Sequence, residues 1–145
     1  LNRFCVQAVA GMPLTIYGKG GQTRGCLNLL DTLQCVELAV DNPAAVGECR
    51  VFNQFTESFN VLEHAQFVID AAKNFGMTVE VEHLPNPRIE QEKHYYNPTH
   101  SKLLDLGLKP HYLTSEVVSE MIQYIVNAKS EIHLKTIMPS IKWRT

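Results

Sequence analysis

The feature that most constrains the fold of this 145-residue chain is the alternation of short strand patterns with helix patterns. Residues 1–10 have helical spacing, with Leu1, Phe4 and Ala8 on the inward face, and Gly11 ends that helix. The stretches PLTIYG and CLNLL then predict two strands, one on each side of a glycine-rich loop. A helix followed by strand, loop and strand is typical of an α/β protein.

A helix-start signal follows the second predicted strand. Asp31, with Gln34 three residues later, has the spacing of a capping box, which predicts a helix that runs from Asp31 to the DNPAAVG stretch. The residues that we expect this helix to turn toward the core are Leu33, Val36, Leu38, Ala39 and Val40.

The alternation continues through the middle of the chain. CRVFNQF and MTVEVEHL predict two more strands because they are rich in β-branched and aromatic residues. Between them, Asn60 and Glu63 form a second capping-box pattern, and Gly76 ends the helix that follows. The predicted inward face of that helix is Leu62, Ala65, Ile69 and Ala72.

The last third predicts two helices. THSKLLDLG is a short helix that ends at Gly107, and Thr114 starts a longer one. The segments NPRIEQEKHYYNP and TIMPSIKWRT are predicted to be a polar loop and an irregular tail. The fold class expected from this order is α/β, with short strands and packed helices. The apolar stripe of the longer helix is Val118, Met121, Ile122, Ile125 and Val126.

Composition and charge exclude several classes of protein. With 45% hydrophobic and 19% charged residues, the chain can form one core. Its net charge of −2 argues against nucleic-acid binding, and no apolar run approaches the roughly 18 residues of a membrane span. The six histidines lack metal-site spacing, so we expect no metal. The cysteines, which we expect to be reduced thiols, are Cys5, Cys26, Cys35 and Cys49.

The glycine-rich loop YGKGGQTRG has the composition of a phosphate-binding loop but neither standard pattern. A Walker loop continues with Lys and then Ser or Thr, where this chain has Cys26 and Leu27. The pattern G-x-G-x-x-G fails at Thr23, and a strand, not a helix, is predicted next. What remains is Arg24, with Gln22 before it. Such an arginine either binds a diphosphate bidentately or is a solvated side chain on a surface turn.

Several motifs occur in an order that resembles the substrate-binding portion of extended short-chain dehydrogenases that act on nucleotide sugars. They are PLTIYGKGGQTRG, LLDT, VFNQFTE, NPRIEQEKHYYN and LLDLGLKP. Within that superfamily the chain is similar, over essentially its whole length, to the UDP-sulfoquinovose synthase family, as the closing MPSIKW also indicates. It departs from that family at Cys26, Asn28 and Leu30, where the family has an aromatic residue, an aspartate and an arginine.

The resemblance implies a site for a UDP-sugar. The PLTIYG strand would contact uracil, Arg24 and Arg88 would bind the diphosphate, Glu92 would accept bonds from ribose hydroxyls, and Tyr95 or Tyr96 would close the pocket. Two arginines on separate elements neutralise a diphosphate without a metal. The residues alone also allow structural roles, such as a surface ion pair, packing or a turn. The implied substrate-binding residues are Thr15, Ile16, Tyr17, Gln22, Arg24, Asn53, Arg88, Glu92 and Tyr95.

The catalytic pair of this superfamily, Tyr-x-x-x-Lys, is absent, because none of the five tyrosines has a lysine four residues later. The glycine fingerprint for NAD is absent as well. The resemblance assigns both to an N-terminal Rossmann portion. We therefore expect residues 1–145 to be the substrate-binding portion alone, with NAD bound by the missing portion, no catalytic residue here, and no activity of the chain by itself.

For a whole protein, the resemblance implies a specific reaction. NAD would oxidise UDP-glucose at C4, water would leave across C5–C6, sulfite would add to the enone, and the hydride would return to C4. The protein would be a homodimer in the chloroplast stroma, and its product would serve sulfolipid synthesis. The sequence leaves three alternatives open: another nucleotide-sugar epimerase or 4,6-dehydratase, a UDP-sugar-binding pseudoenzyme, and an RNA-binding relative.

Overall fold

The structure is a computed structural model, and it describes residues 1–87 and 97–139. The chain divides into two compact units. Unit 1 consists of Leu1–Gln22, Asn60–His94 and Thr114–Thr145, and unit 2 consists of Thr23–Phe59 and Tyr95–Leu113.

Short strands alternate with helices along the described residues, which confirms the predicted α/β class. The strands found there are four residues long and form two separate two-stranded sheets. In chain order the elements are α1 (Asn2–Val9), β1 (Leu14–Tyr17), β2 (Thr23–Cys26), α2 (Leu29–Asp41), β3 (Glu57–Asn60), α3 (Val61–Lys73), β4 (Val81–Leu84), α4 (Ser101–Asp105), α5 (Ser115–Asn127) and α6 (Leu134–Ile137), with a turn of 3₁₀ helix at Lys129–Glu131.

Unit 1 consists mainly of three helices packed against one another and against a small parallel sheet. β1 and β4 pair in parallel, with Leu14 opposite Val81 and Tyr17 opposite Leu84. α1 packs on α3, α5 and β1, and α3 packs on α5. Burial of apolar side chains in this way is the main stabilising term of a small domain. The buried apolar residues of the unit are Phe4, Cys5, Ala8, Val9, Leu14, Ile16, Ala65, Val68, Ala71, Ala72, Val118 and Ile122.

Two helices of unit 1 start at the caps that the sequence predicts. The Asn60 side chain accepts a hydrogen bond from the Glu63 N–H at 2.9 Å, and the Glu63 carboxylate accepts one from the Asn60 N–H at 2.6 Å. This reciprocal pair confirms the capping box at the start of α3. Thr114 Oγ1 accepts from the Val117 N–H at 3.4 Å, which confirms Thr114 as the N-cap of α5.

Unit 2 has a smaller core around α2 and α4. β2 and β3 form its sheet, and just before β3 the Thr56 N–H donates to the Cys26 carbonyl at 2.9 Å. Cys35 of α2 is buried with Leu103 and Leu108. The partly buried side chains that pack against this cluster are Leu27, Leu38 and Phe52.

Two predictions about the start of α2 are wrong. CLNLL is not a strand, because β2 ends at Cys26 and α2 begins at Leu29. The N-cap is Asn28, whose side-chain oxygen accepts from the Leu30 N–H at 2.9 Å, and Asp31 lies inside the first turn. Asn and Asp are equally good N-caps, so the local signal alone did not decide between two candidates three residues apart.

The predicted inward face of α2 is wrong except at Leu38, which packs on the core cluster of unit 2. Leu33, Val36 and Val40 are 56%, 57% and 72% exposed, whereas Asp31 and Cys35 are buried. The carboxylate of Asp31 is bound inside unit 2, so its side of the helix faces the core. The opposite apolar side therefore faces outward.

Three smaller predictions also need correction. CRVFNQF does not form a strand in the described part of the chain, and β3 begins only at Glu57. In α3, Ala65 and Ala72 are buried as predicted, whereas Leu62 is exposed and Ile69 is only half-buried. Val68, which was not predicted to face inward, is fully buried. The tail is helical through Ile137, and its residues 140–145 lie outside the described residues, as does most of NPRIEQEKHYYNP.

Candidate functional site

The first part of the glycine-rich loop continues the β1–β4 pairing of unit 1. The Gly18 N–H donates to the Leu84 carbonyl at 2.9 Å. His83 Nδ1 lies 2.7 Å from the Gly18 carbonyl oxygen, to which it donates when that nitrogen carries the proton. Gly18 is therefore a structural residue of the sheet, with both of its backbone polar groups engaged by β4.

The second part of the loop contacts the start of α3. The Gly20 carbonyl accepts from the N–H groups of Val61 and Leu62 at 3.1 and 3.4 Å. A Cβ at Gly20 would lie 2.9 Å from Ile16 Cγ2 and 3.0 Å from Leu62 Cγ, and the φ angle of Gly20 is +75°. A helix N-terminus is a common phosphate site, but here a carbonyl of the protein occupies it.

Thr15, predicted to contact uracil, is fully buried, and α1 binds all of its polar atoms. The Thr15 N–H donates to Gln7 Oε1 at 3.2 Å, and Gln7 Nε2 donates to Thr15 Oγ1 at 2.8 Å. Arg3 Nη2 donates to the Thr15 carbonyl at 2.8 Å. Neither Arg3 nor Gln7 was predicted from the sequence, where their only signal is a glutamine on the inward side of a helix.

The other candidates in unit 1 lie on or just after β1. Ile16 is fully buried beneath Gly20, and Tyr17 is the half-buried last residue of the strand. The strand thus brings Thr15, Ile16 and Tyr17 together. Gln22 is half-buried and follows the glycine loop.

Two candidates lie in unit 2. Arg24 is exposed on β2, where its Nη1 donates to the Thr23 carbonyl at 2.8 Å. Asn53 is exposed, and its Nδ2 donates to the Thr99 carbonyl at 2.7 Å. Neither of these bonds joins Arg24 to Asn53. The bond to Thr99 gives Asn53 a structural role, since it fastens the segment that leads into α4.

Unit 2 contains a buried carboxylate, that of Asp31, which was predicted to cap the start of a helix. Asp31 is fully buried and accepts from the His111 N–H at 2.9 Å, from His111 Nδ1 at 2.6 Å and from Gln34 Nε2 at 3.0 Å. The predicted capping pair Asp31 and Gln34 thus binds a distant segment instead of its own helix end. Buried carboxylates are stable only when bonded in this way.

The segment Lys109–Leu113 is held by side chains at every second residue, and we call it the clip. Gln34 accepts from the Lys109 N–H at 3.2 Å and donates to the Lys109 carbonyl at 3.0 Å. The Leu113 N–H donates to Glu57 Oε2 at 2.7 Å. Together with the Asp31 bonds, these contacts replace the partner strand that an extended segment ordinarily requires.

A cavity of about 410 Å³ lies in unit 2 between residues 48–52, which follow α2, and residues of α4 and its C-terminal end. Its lining includes two carboxylates, Glu48 and Asp105, and two cations, Arg50 and Lys102. Opposite charges in equal number leave no net positive charge to attract a diphosphate. The exposed thiol of Cys49 also lines this cavity.

The remaining candidates, Arg88, Glu92 and Tyr95, lie outside the described residues, as does Tyr96. Of the part of the site predicted from sequence, the structure therefore describes Thr15, Ile16, Tyr17, Gln22, Arg24 and Asn53.

The described part of this chain offers no glycine loop that is open to NAD. Its glycine loop is bonded to β4 and α3 of unit 1, and G-x-G-x-x-G is absent from the sequence. Among the described residues, no group of His, Cys, Asp and Glu is arranged to hold a metal ion. In that same part of the chain, no helix has the length and apolar character to cross a membrane.

The four cysteines are free thiols. Burial raises the pKa of Cys5 to about 11 and also raises the pKa values of Cys26 and Cys35. Because the thiolate is the nucleophile, these three residues are weak nucleophiles at neutral pH.

No protein-family profile matches the sequence. The chain is 54% identical over 144 residues to the chloroplastic UDP-sulfoquinovose synthase of Spinacia oleracea, covering 99% of this chain and 30% of that protein. It is 44% identical over 146 residues to UDP-sulfoquinovose synthase of Sulfolobus acidocaldarius, covering 99% of this chain and 37% of that protein. The chain thus spans about one third of the length of these curated relatives.

Solved structures with the same fold are nucleotide-sugar epimerases. UDP-glucose 4-epimerase of Thermotoga maritima, solved with UDP-glucose, has a TM-score of 0.69 at 19% identity, over 87% of this chain and 38% of that one. UDP-glucuronic acid 4-epimerase of Bacillus cereus, solved with UDP-glucuronic acid and NAD, has a TM-score of 0.67 at 22% identity, over 87% and 39%. These likenesses establish the fold.

The comparisons confirm the resemblance drawn from the motifs. High identity extends over nearly the whole chain, and the fold matches that of NAD-dependent nucleotide-sugar epimerases over about two fifths of their length. Over 99% of its length the chain is therefore similar to the C-terminal portion of UDP-sulfoquinovose synthases, and its fold is that found in nucleotide-sugar epimerases.

Proposed function

We propose that this chain is the UDP-sugar-recognising portion of a UDP-sulfoquinovose synthase, an enzyme that forms UDP-sulfoquinovose from UDP-glucose and sulfite. The observation that carries the proposal is 54% identity over 99% of the chain to the spinach enzyme. Epimerases of the same fold support the substrate class, because their structures were solved with UDP-glucose and UDP-glucuronic acid.

In this proposal Arg24 binds the diphosphate of the nucleotide. Its side chain is exposed, so the guanidinium meets a ligand without the cost of a permanently buried charge. A bond between an arginine and a phosphate contributes about 1.5–3 kcal/mol. By the family resemblance, Arg88 is the second diphosphate ligand, Glu92 accepts from the ribose hydroxyls, and Tyr95 closes the pocket.

In this proposal, β1 and the loop after it bind uracil. Thr15 and Ile16 are fixed by α1 and by the core, so the strand edge that they form has a defined position. Tyr17 offers a half-buried ring for stacking, and Gln22 offers an amide. Asn53 retains capacity for a nucleotide contact, because its bond to Thr99 uses one of the four hydrogen-bonding sites of its amide.

We further propose that NAD is bound by an N-terminal portion in a protein of the relatives' length. NAD supplies the hydride acceptor for the sugar, and that portion supplies the Tyr-x-x-x-Lys pair. The residues of this chain bind and orient the nucleotide, and none is assigned to catalysis. The spinach relative is chloroplastic, and we propose the chloroplast stroma and a homodimer for the whole protein.

The proposal is tested by calorimetric titration of the chain with UDP and with UDP-glucose. We expect both to bind, and Arg24→Ala to raise Kd about tenfold or more, because one charge-assisted bond is lost. Arg24→Lys tests whether the bidentate geometry is needed, and Lys135→Ala on α6 is the exposed-cation control. Two results would contradict the proposal. One is a folded chain that binds neither nucleotide, and the other is an Arg24→Ala variant that binds both nucleotides as tightly as the unchanged chain.

A further inference from the structure

The glycine-rich loop begins at the residue where β1 leaves its pairing with β4. In the pairing, Ile16 lies opposite His83 and Tyr17 lies opposite Leu84, and the Gly18 N–H adds one more bond to the Leu84 carbonyl at 2.9 Å. The φ angle of Gly18 is +60°, which is far from the φ of a strand, so the chain turns at this residue. A half-buried carbonyl at such a turn needs a hydrogen-bond donor.

A side chain of β4 provides that donor. His83 Nδ1 lies 2.7 Å from the Gly18 carbonyl oxygen, although the two residues are 65 positions apart in the sequence. Because a carbonyl oxygen only accepts, a hydrogen bond at this distance requires a proton on Nδ1. In the neutral ring, this bond selects the tautomer whose Nε2 carries no proton. His83 therefore joins the middle of unit 1 to the first turn of the loop.

The loop is fixed at a second position by contacts of a different kind. The Gly20 carbonyl accepts from the N–H groups of Val61 and Leu62, and Gly20 is buried against Ile16. These contacts use the backbone of the loop and the helix, whereas the contact at Gly18 depends on one replaceable side chain. A substitution at position 83 can therefore remove one contact and leave the other in place.

Two candidate nucleotide-binding residues border the stretch between these contacts. Tyr17 directly precedes Gly18, and Gln22 follows Gly20 by two positions. Both residues are half-buried and belong to unit 1, as His83 does. A loop that already has its binding conformation loses less conformational entropy when a ligand arrives, and it therefore binds that ligand more tightly.

We propose that His83 is a positioning residue of the nucleotide site. Its bond to the Gly18 carbonyl holds the loop in the conformation that presents Tyr17 and Gln22 to a UDP-sugar. The inference rests on the proposed function, in which these two residues contact the nucleotide. His83 acts through the loop and is assigned no contact with the ligand. Loss of a single hydrogen bond of this kind should weaken UDP binding about fivefold.

Variants at position 83 separate the hydrogen bond from the bulk of the side chain. His83→Ala removes the donor, and His83→Asn replaces it, because the amide nitrogen of asparagine is as far along the side chain as Nδ1 of histidine. His133→Ala, which removes another exposed histidine of unit 1, is the matched control. The Kd of each variant for UDP is measured by calorimetry, and urea unfolding establishes that each variant is folded.

We expect His83→Ala to raise the Kd for UDP about fivefold, with His83→Asn and His133→Ala within about twofold of the unchanged chain. Amide hydrogens of residues 19–22 should also exchange about fivefold faster in His83→Ala than in His83→Asn. Equal Kd values for His83→Ala and the unchanged chain would overturn the inference. Equal weakening by His83→Ala and His83→Asn would also overturn it, because a merely structural role of the ring is not rescued by an amide.

A second measurement requires neither a variant nor a ligand. Nitrogen-15 spectra of the unchanged chain, recorded where its histidines are neutral, show which ring nitrogen of His83 carries the proton. We expect the proton on Nδ1, and an unprotonated Nδ1 would overturn the inference.

The titrations also distinguish this inference from the proposed function. An unchanged, folded chain that binds no UDP refutes the proposed function, and the role of His83 in nucleotide binding with it. UDP binding that does not respond to His83→Ala refutes the positioning role alone.

Discussion

At the scale of one residue, Gly20 shows that a glycine in a loop with the composition of a phosphate-binding loop can be required for packing. Its φ of +75° lies in the left-handed region, and a Cβ at this position would lie within 3.0 Å of Ile16 and Leu62. Its carbonyl also accepts from the first N–H groups of α3. The sequence was sufficient to exclude the two standard phosphate loops. It did not reveal that the loop joins β1 to α3, because that contact depends on residues about 40 positions apart.

Two glycine substitutions separate the backbone requirement of Gly20 from its packing requirement. Gly11 has nearly the same φ, +72°, but a Cβ there would meet nothing within 4 Å, so Gly11→Ala should cost about 1 kcal/mol. Gly20→Ala should cost about 2–4 kcal/mol, because the new methyl also overlaps a buried isoleucine. Urea unfolding measures both, and equal losses would contradict the packing account.

The thiols should differ in reactivity in the order of their burial. Cys49 is exposed and should be alkylated first by iodoacetamide at about pH 8. Cys5 is fully buried, and its pKa of about 11 keeps it protonated at that pH, so it should react only after unfolding. Peptide mapping over time tests this order. Modification of Cys5 at the rate of Cys49 in the folded chain would contradict the described packing of α1.

At the scale of elements, the clip shows how a cluster of side chains can replace a partner strand. Gln34, Asp31 and Glu57 bind the backbone of Lys109–Leu113 at alternate positions. This explains why α2 turns its Asp31 side inward and its apolar stripe outward. A polar residue one turn into a helix is ordinarily solvated, so nothing local in the sequence distinguishes this buried carboxylate from an N-cap.

Removal of the Asp31 carboxylate should destabilise unit 2 strongly. Asp31→Ala removes a buried carboxylate, leaves the His111 N–H without its acceptor, and should lower the free energy of unfolding by about 3 kcal/mol. His111→Ala keeps the backbone bond and should cost less. Asp70→Ala, which removes an exposed carboxylate paired with Lys73, should change little. A loss no larger for Asp31→Ala than for Asp70→Ala in urea unfolding would contradict the account of the clip.

Features that depend on residues close together in the sequence were predicted, and features that depend on residues far apart in the sequence were not. The capping box of α3, the N-cap Thr114 and the strand at β1 were predicted correctly, because each depends on residues within one helical turn or one short strand. The Thr15–Gln7 bonds and the outward stripe of α2 were not, because tertiary contacts fix them. The predicted site residues came from family resemblance, and their ligand contacts remain proposals.

At the scale of the whole molecule, the two units differ in how completely they bury their apolar residues. Unit 1 encloses a core built from three helices and the β1–β4 sheet. Unit 2 has a small core and an exposed apolar helix face. An exposed apolar face of this kind is typical of an interaction surface.

We propose above that this chain recognises the UDP-sugar of a UDP-sulfoquinovose synthase. The most direct measurement is the product formed by a chimera of this chain with the N-terminal portion of the spinach enzyme, given UDP-glucose, sulfite and NAD and analysed by mass spectrometry. We expect UDP-sulfoquinovose, formed only with sulfite, and about tenfold less of it from Arg24→Ala at limiting UDP-glucose. A C4 epimer of UDP-glucose formed with or without sulfite, or a folded chimera that forms no product, would contradict the proposal.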